Sequence, residues 1–225
     1  MAEQSVFHRE RDVRIPAGAA ALGGTLSIPD GARGIVLFAH GSGSSRHSPR
    51  NVYVARALQD AGIATLLFDL LTREEEQRDL VTREHRFDIA LLSERLWLGT
   101  EWLEHETSAR ALRVGYFGAS TGSAAALFAA ARAGPRIGAV VSRGGRPDLA
   151  DAATLARVRA ATLLIVGGDD HGVIELNEQA YAGLRCEKQL DIVPGASHLF
   201  EEPGALEAVA RLARDWFARH LHQAA

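Results

Sequence analysis

Ser120 is the residue of this sequence whose surroundings most clearly indicate chemistry. It is the central residue of a G-x-S-x-G motif at positions 118–122. The motif follows the apolar run Leu112–Phe117, a predicted strand, and precedes the predicted helix Thr121–Arg132. A serine on a sharp strand-to-helix turn stands clear of the sheet, and the glycines let the helix approach the strand. We therefore predict that Ser120 is a nucleophile for acyl transfer.

A serine hydroxyl attacks well only when a neighbouring base accepts its proton. Among the nine histidines, His198 lies in the loop 194–198, directly after the last strand signal and before the last helix signal. A loop at that position can carry an imidazole to the serine, so His198 is the predicted base. The alternatives in other strand-end loops are His40, His47 and His171.

The base needs a carboxylate that orients its ring. Asp169 and Asp170 follow Gly168 at the end of the fifth main strand signal. We prefer Asp170 as the orienting acid, although chain order alone cannot separate two neighbours.

The oxyanion formed during acyl transfer needs two backbone N–H donors. The first predicted donor is the amide of Thr121, at the positive end of the helix that follows the nucleophile. The second is the amide of Ser42, in the loop His40–Gly43 after an earlier strand. His40 itself is expected to hold this loop in place.

The same loop has a competing interpretation as a dinucleotide fingerprint, with Asp69 as the ribose-binding acid. Arg46 stands where the third glycine is expected, and no Gly-Lys-Ser/Thr follows, which argues against nucleotide binding. The sequence also lacks C-x-x-C and H-E-x-x-H metal motifs. We expect neither a cofactor nor a metal.

Strand and helix signals alternate along the chain and place these residues at loop positions. The strand signals are 35–39, 63–68, 112–117, 137–141, 162–166 and 190–193, and the helix signals are 50–60, 85–106, 121–132, 173–184 and 205–220. This alternation predicts an α/β fold with a mostly parallel twisted sheet and helices on both faces. Residues 13–28 are predicted as an antiparallel edge. The active site should lie beyond the carboxyl ends of the strands.

Composition restricts the classes of protein. With 225 residues, 47% of them hydrophobic, the chain suits one domain spanning residues 1–225. A net charge of −3 gives no reason to expect nucleic acid or an anionic membrane as partner. The single cysteine and the lack of a signal or membrane-spanning segment lead us to expect a cytoplasmic protein. Composition assigns no oligomeric state.

The substrate is the least defined part of the sequence-based account. The short connection 142–161 leaves no room for a large cap domain, so we expect an open site for small, soluble esters. Arg46, Arg50 and Arg143 are candidate substrate-binding residues that would favour a carboxylate or phosphate if they converged. Solvated surface arginines are the alternative. The segment 71–86, with its three consecutive glutamates, is expected to be solvated.

Four stretches resemble the dienelactone hydrolase-like branch of the α/β-hydrolase superfamily. These stretches are 40–46, 117–122, 167–177 and 194–201. The resemblance implies the α/β-hydrolase fold and its chain order of serine, aspartate and histidine. In the family, two residues separate the aspartate from the valine that opens the next helix; here that valine is Val173, which favours Asp170. Similar sequences also occur joined to a phosphoribosyltransferase domain, for which this chain is too short.

One residue departs from the family pattern. Dienelactone hydrolases proper use a cysteine nucleophile, and this motif holds Ser120. The serine is more similar to that of a carboxylesterase, so we expect a serine hydrolase acting on carboxylic esters. Alternatives are a lactone, thioester or peptide hydrolase of the same fold, or a binding or regulatory module without turnover.

Overall fold

The computed structural model describes residues 8–221, which form eight strands and seven α-helices. The strands are β1 (His8–Ala17), β2 (Ala20–Pro29), β3 (Gly34–Ala39), β4 (Ala64–Phe68), β5 (Arg113–Ala119), β6 (Ile137–Arg143), β7 (Ala161–Gly167) and β8 (Lys188–Val193). The helices are α1 (Pro49–Asp60), α2 (Arg73–Thr82), α3 (Ile89–His105), α4 (Thr121–Ala133), α5 (Ala152–Arg157), α6 (His171–Gly183) and α7 (Ala205–Leu221).

All eight strands belong to one sheet in the order β1-β2-β4-β3-β5-β6-β7-β8. The six strands from β3 to β8 run parallel to one another, and β1 and β2 form an antiparallel hairpin at one edge. The hairpin confirms the antiparallel edge expected for residues 13–28. Strands β3 to β7 are buried almost throughout, as continuous apolar runs in a parallel sheet require.

Helices cover both faces of this sheet. Helices α1 and α7 pack together on one face, while α3, α4, α5 and α6 pack on the other. The predicted fold class, a mostly parallel sheet between two helical layers, is therefore confirmed.

Most residues of the segment 71–86 are exposed, as expected, and the segment also contains a helix that the sequence analysis did not assign. Its residues Arg73–Thr82 form α2, which begins with a capping box: the Thr72 hydroxyl accepts from the Glu75 amide, and the Glu75 carboxylate accepts from the Thr72 amide. Helix α3 starts at Ile89 rather than at residue 85, because the amides of His85 and Arg86 donate to the Asp79 carboxylate instead.

Within residues 8–221, no cap domain is inserted between β6 and β7. The connection between β6 and β7 contains only a 3₁₀ turn, Pro147–Leu149, and the six-residue helix α5. Within residues 8–221, no helix combines the length and the apolar character needed to cross a membrane.

Candidate active site

Ser120 occupies a strained turn between β5 and α4. Its backbone angles are φ 52° and ψ −120°, a conformation that residues other than glycine rarely adopt. A Cβ atom at Gly118 would lie 2.5 Å from Ser123 Cα, and one at Gly122 would overlap the Ala39 carbonyl. Both glycines of the motif are therefore required for the close approach of strand and helix.

Residues 143–146 hold this turn in place. Their role could not be recognised from the sequence alone. The Ser120 amide donates to the Arg143 carbonyl at 3.1 Å, and the Arg146 amide donates to the Ser120 carbonyl at 3.2 Å. The buried Asn177 side chain donates to the Gly145 carbonyl at 3.1 Å. Strain at such a residue costs about 1–3 kcal/mol and persists only when its surroundings fix it, as these bonds do.

The structure brings Ser120, His198 and Asp170 into one hydrogen-bonded series. His198 Nδ1 lies 2.6 Å from Asp170 Oδ2, and His198 Nε2 lies 3.4 Å from Ser120 Oγ. Asp170 is the N-cap residue of α6, yet its carboxylate makes no capping bond. The carboxylate instead orients the imidazole so that Nε2 faces the serine hydroxyl.

Asp169 is placed differently from its neighbour. Its side chain is exposed, and its amide donates to the Ala196 carbonyl at 3.0 Å. The backbone bond ties the β7 end to the loop that carries His198. Of the two aspartates, Asp170 is the one whose carboxylate contacts the histidine.

The two candidate oxyanion donors lie next to each other. Thr121 opens α4, where an N–H has no acceptor within the helix. The Ser42 amide, by contrast, donates to Thr121 Oγ1 at 3.0 Å. The Ser42 hydroxyl donates to the Arg86 carbonyl at 3.1 Å and lies 2.9 Å from Thr121 Oγ1. Because the Ser42 hydroxyl proton is already used, Thr121 is the donor in this last bond.

His40 is buried beneath the Ser42 loop and connects it to the end of β4. Its Nε2 accepts from the Leu70 amide at 3.0 Å, so the proton sits on Nδ1, which donates to the Gly41 carbonyl at 3.1 Å. Burial lowers the pKa of His40 below its usual 6.5, although the Gly41 bond and the carboxylates of Asp69 and Glu76 oppose this shift.

This lowered pKa predicts a loss of stability in acid. The unfolded chain binds the proton more readily than the folded one, so stability contributed by neutral His40 is complete above about pH 6.5 and declines as pH falls through the folded pKa. In urea unfolding between pH 7.5 and 5, His40→Gln should be less stable at pH 7.5 by about 1–3 kcal/mol and less sensitive to acid. Equal pH dependence in both proteins would contradict this role.

The candidate substrate-binding arginines do not share one environment. The Arg46 guanidinium pairs with Asp69, whose other oxygen accepts from the Arg46 amide at 2.9 Å. Arg50 donates to Glu201 at 3.0 Å. The Nε atoms of Arg46 and Arg50 are buried without a partner among the described residues. Within the same part of the chain, Arg143, 7% exposed, lacks a partner at both Nε and Nη1, and no carboxylate pairs with it there.

Arg143 lies over the Phe200 ring, with its guanidinium carbon 5.8 Å from the ring centroid. Burial, assisted by the charge of Arg50, lowers the pKa of Arg143 to about 10. The side chain therefore remains charged at neutral pH. The Arg143 carbonyl accepts from the Ser120 amide, and a Cβ at Gly144 would lie 3.6 Å from His198 Cε1, so the end of β6 adjoins both Ser120 and His198.

The structure argues against the competing interpretation of the loop His40–Gly43 as a dinucleotide site, in which Asp69 would bind the ribose. Both Asp69 carboxylate oxygens accept from Arg46, so the acid expected to bind a ribose is instead engaged in an ion pair within the chain. Among residues 8–221, no three metal-ligating side chains gather at one place.

A mostly parallel eight-stranded sheet with a serine turn between a central strand and its helix is the architecture of the α/β-hydrolases. The comparisons with known proteins agree. A dienelactone hydrolase from Anabaena variabilis is 60% identical, with a TM-score of 0.94 over 96% of this chain and 99% of that one. Est1E from Butyrivibrio proteoclasticus shares the fold, with a TM-score of 0.78 and 14% identity over 94% and 99% of the two chains. No protein-family model matches.

The chain thus belongs to the dienelactone hydrolase-like family of the α/β-hydrolase superfamily. Two Mycobacterium tuberculosis proteins, from strains H37Rv and CDC 1551, are also 57% identical to it over 213 residues, 95% of this chain. Their names assign them provisionally to the phosphoribosyl transferases. The chain spans about half the length of these curated relatives, since the match covers 47% of each.

Proposed function

We propose that the protein hydrolyses carboxylic esters through an acyl-enzyme on Ser120. The observation that carries this proposal is the series from Asp170 through His198 to Ser120 at a strained turn. The 3.4 Å separation between His198 Nε2 and Ser120 Oγ is long for a hydrogen bond, but such contacts often shorten only when substrate is bound.

In the proposed reaction, Ser120 Oγ attacks the ester carbonyl carbon while His198 Nε2 accepts the hydroxyl proton. The tetrahedral intermediate then collapses: the carbon–oxygen bond to the alcohol breaks, and His198 returns the proton to the departing oxygen. A water molecule repeats the sequence, releasing the acid and restoring Ser120. Asp170 holds the imidazole in the required tautomer and stabilises its positive charge.

The amides of Thr121 and Ser42 are the proposed donors to the oxyanion. For Ser42 to donate, its N–H must leave Thr121 Oγ1, to which it is bonded in the structure. Rotation of the Thr121 side chain about χ1 would free it without moving the backbone. Each such donor is worth about 3–4 kcal/mol of barrier in comparable sites.

Activity on simple esters is the direct test. We expect steady-state hydrolysis of p-nitrophenyl acetate and p-nitrophenyl butyrate, with a burst of p-nitrophenol where deacylation is slow. A panel of lactones, thioesters and peptides decides among the chemistries that this fold supports. Absence of turnover on every substrate would favour a binding or regulatory module instead.

We propose Arg143 as a contact for an acidic group on the substrate, because its buried Nε and Nη1 atoms lack a partner among the described residues and its backbone carbonyl bonds to the Ser120 amide. Arg46 and Arg50, already paired with carboxylates, would contribute only after those pairs open. A p-nitrophenyl ester carrying a carboxylate should be preferred over its neutral isostere, and Arg143→Met should reduce that preference about tenfold or more. An unchanged preference would remove Arg143 from the proposal.

A further inference from the structure

In the segment from the end of α2 to the start of α3, an acidic side chain is buried and three apolar side chains are exposed. Asp79 is only 3% exposed, whereas Leu80, Val81 and Phe87 are 71%, 84% and 58% exposed. A segment that merely faced solvent would place its charge outside and its apolar side chains inside. We refer to Leu80, Val81 and Phe87 as the apolar patch.

The buried carboxylate of Asp79 fixes this arrangement. It accepts from the amides of His85 and Arg86 at 2.8 and 3.0 Å and from Arg86 Nε at 2.6 Å. Arg86 Nη2 also donates to the Asp79 carbonyl at 2.9 Å. These four bonds tie the end of α2 to the turn before α3, so both sides of the apolar patch are held by one clamp.

The clamp joins the apolar patch to the predicted oxyanion loop. The carbonyl of Arg86, the residue before Phe87, accepts from the Ser42 hydroxyl at 3.1 Å. Ser42 in turn bonds to Thr121, the neighbour of the nucleophile. Leu80 borders the same cavity as Ser42. Leu80 therefore adjoins the cavity of the predicted oxyanion loop, and Phe87 directly follows the residue that bonds to Ser42.

We propose that the apolar patch binds the acyl chain of the ester, so that the protein prefers medium-chain acyl groups to acetyl. This inference rests on the proposed function. With the carbonyl oxygen between the Ser42 and Thr121 amides, the leaving group lies towards His198, which protonates it. The acyl chain then extends on the side of the oxyanion loop, along Phe87 and Leu80.

An apolar surface beside a reactive group is commonly a binding site, and its contact area with a chain grows with each methylene. We expect kcat/KM to rise about tenfold from p-nitrophenyl acetate to p-nitrophenyl hexanoate in the wild type. The variants Leu80→Ser and Phe87→Ser, and the double variant, should lose most of this rise, measured in each protein as the ratio of its kcat/KM for hexanoate to its kcat/KM for acetate.

Ile192→Ser is the matched control. Ile192 is 45% exposed, but it lies on β8, the edge strand that is five positions away in the sheet from β4, which leads into α2. This variant should keep the full chain-length preference. Thermal melting establishes that all variants fold, which is expected because none of the replaced side chains is buried.

The two proposals fail in distinguishable ways. Failure to hydrolyse any ester would overturn the proposed function and this inference with it. Hydrolysis with no gain from acetate to hexanoate, or with a gain that the patch variants retain, would overturn only the inference. A change of oligomeric state in the patch variants, without a change in chain-length preference, would assign the apolar patch to a second copy of the chain and equally overturn it.

Discussion

Replacing Ser120 by alanine should lower kcat/KM for p-nitrophenyl butyrate by about 10⁵-fold or more, because the acyl-enzyme can no longer form. The turn itself should persist, since the Ser120 backbone, rather than its hydroxyl, makes the bonds to Arg143 and Arg146. Steady-state kinetics with both proteins measure the effect.

The matched control for this variant is Ser108→Ala. Ser108 is exposed, and its hydroxyl donates to the Glu106 side chain. It precedes β5, whereas Ser120 follows β5, so the whole strand separates the two serines. We expect unchanged kinetics. If Ser120→Ala kept a tenth or more of the wild-type activity, the nucleophile would be another residue.

The second large effect is expected from Asp170→Asn, at about 10³–10⁴-fold in kcat. An asparagine can present its NH₂ group to His198 Nδ1, which would stabilise the wrong tautomer and leave a proton on Nε2, facing Ser120. The 2.6 Å contact between Asp170 and His198 is the bond that would be altered.

Asp169→Asn provides the comparison within the same dipeptide. The Asp169 side chain is exposed, and its structural bond comes from its backbone amide, which the substitution keeps. We expect a change of less than about threefold in kcat, as for other exposed positions. A larger loss at Asp169 than at Asp170 would contradict the assignment of the orienting acid.

The sheet and the turn at Ser120 could be predicted from local sequence because they depend on local signals. Continuous apolar runs marked the buried strands β3 to β7, and the spacing of two glycines around Ser120 marked the strand-to-helix turn. Helix α2 could also have been found, since Thr72 and Glu75 form a capping-box pattern. The three consecutive glutamates, which indicated a solvated segment, lie in the first turn of this helix.

Side-chain pairing across the chain could not be predicted in the same way. Arg46 pairs with Asp69, 23 positions away, and Arg50 pairs with Glu201, 151 positions away. Which arginine remains free therefore depends on packing between distant elements. The contact between Ser42 and Thr121, 79 positions apart, depends on packing in the same way. The choice between Asp169 and Asp170 likewise needed the direction of each carboxylate at the start of α6.

The central claim, that Ser120 is an activated nucleophile, is tested most directly by a fluorophosphonate probe, which reacts covalently with such serines. Peptide mass spectrometry of the labelled wild-type protein should find the phosphonyl group on Ser120, with no labelling of Ser120→Ala. Labelling should also fall strongly in His198→Ala, because the base is missing. Absence of labelling in the folded wild-type protein, or labelling at a different serine, would contradict the account.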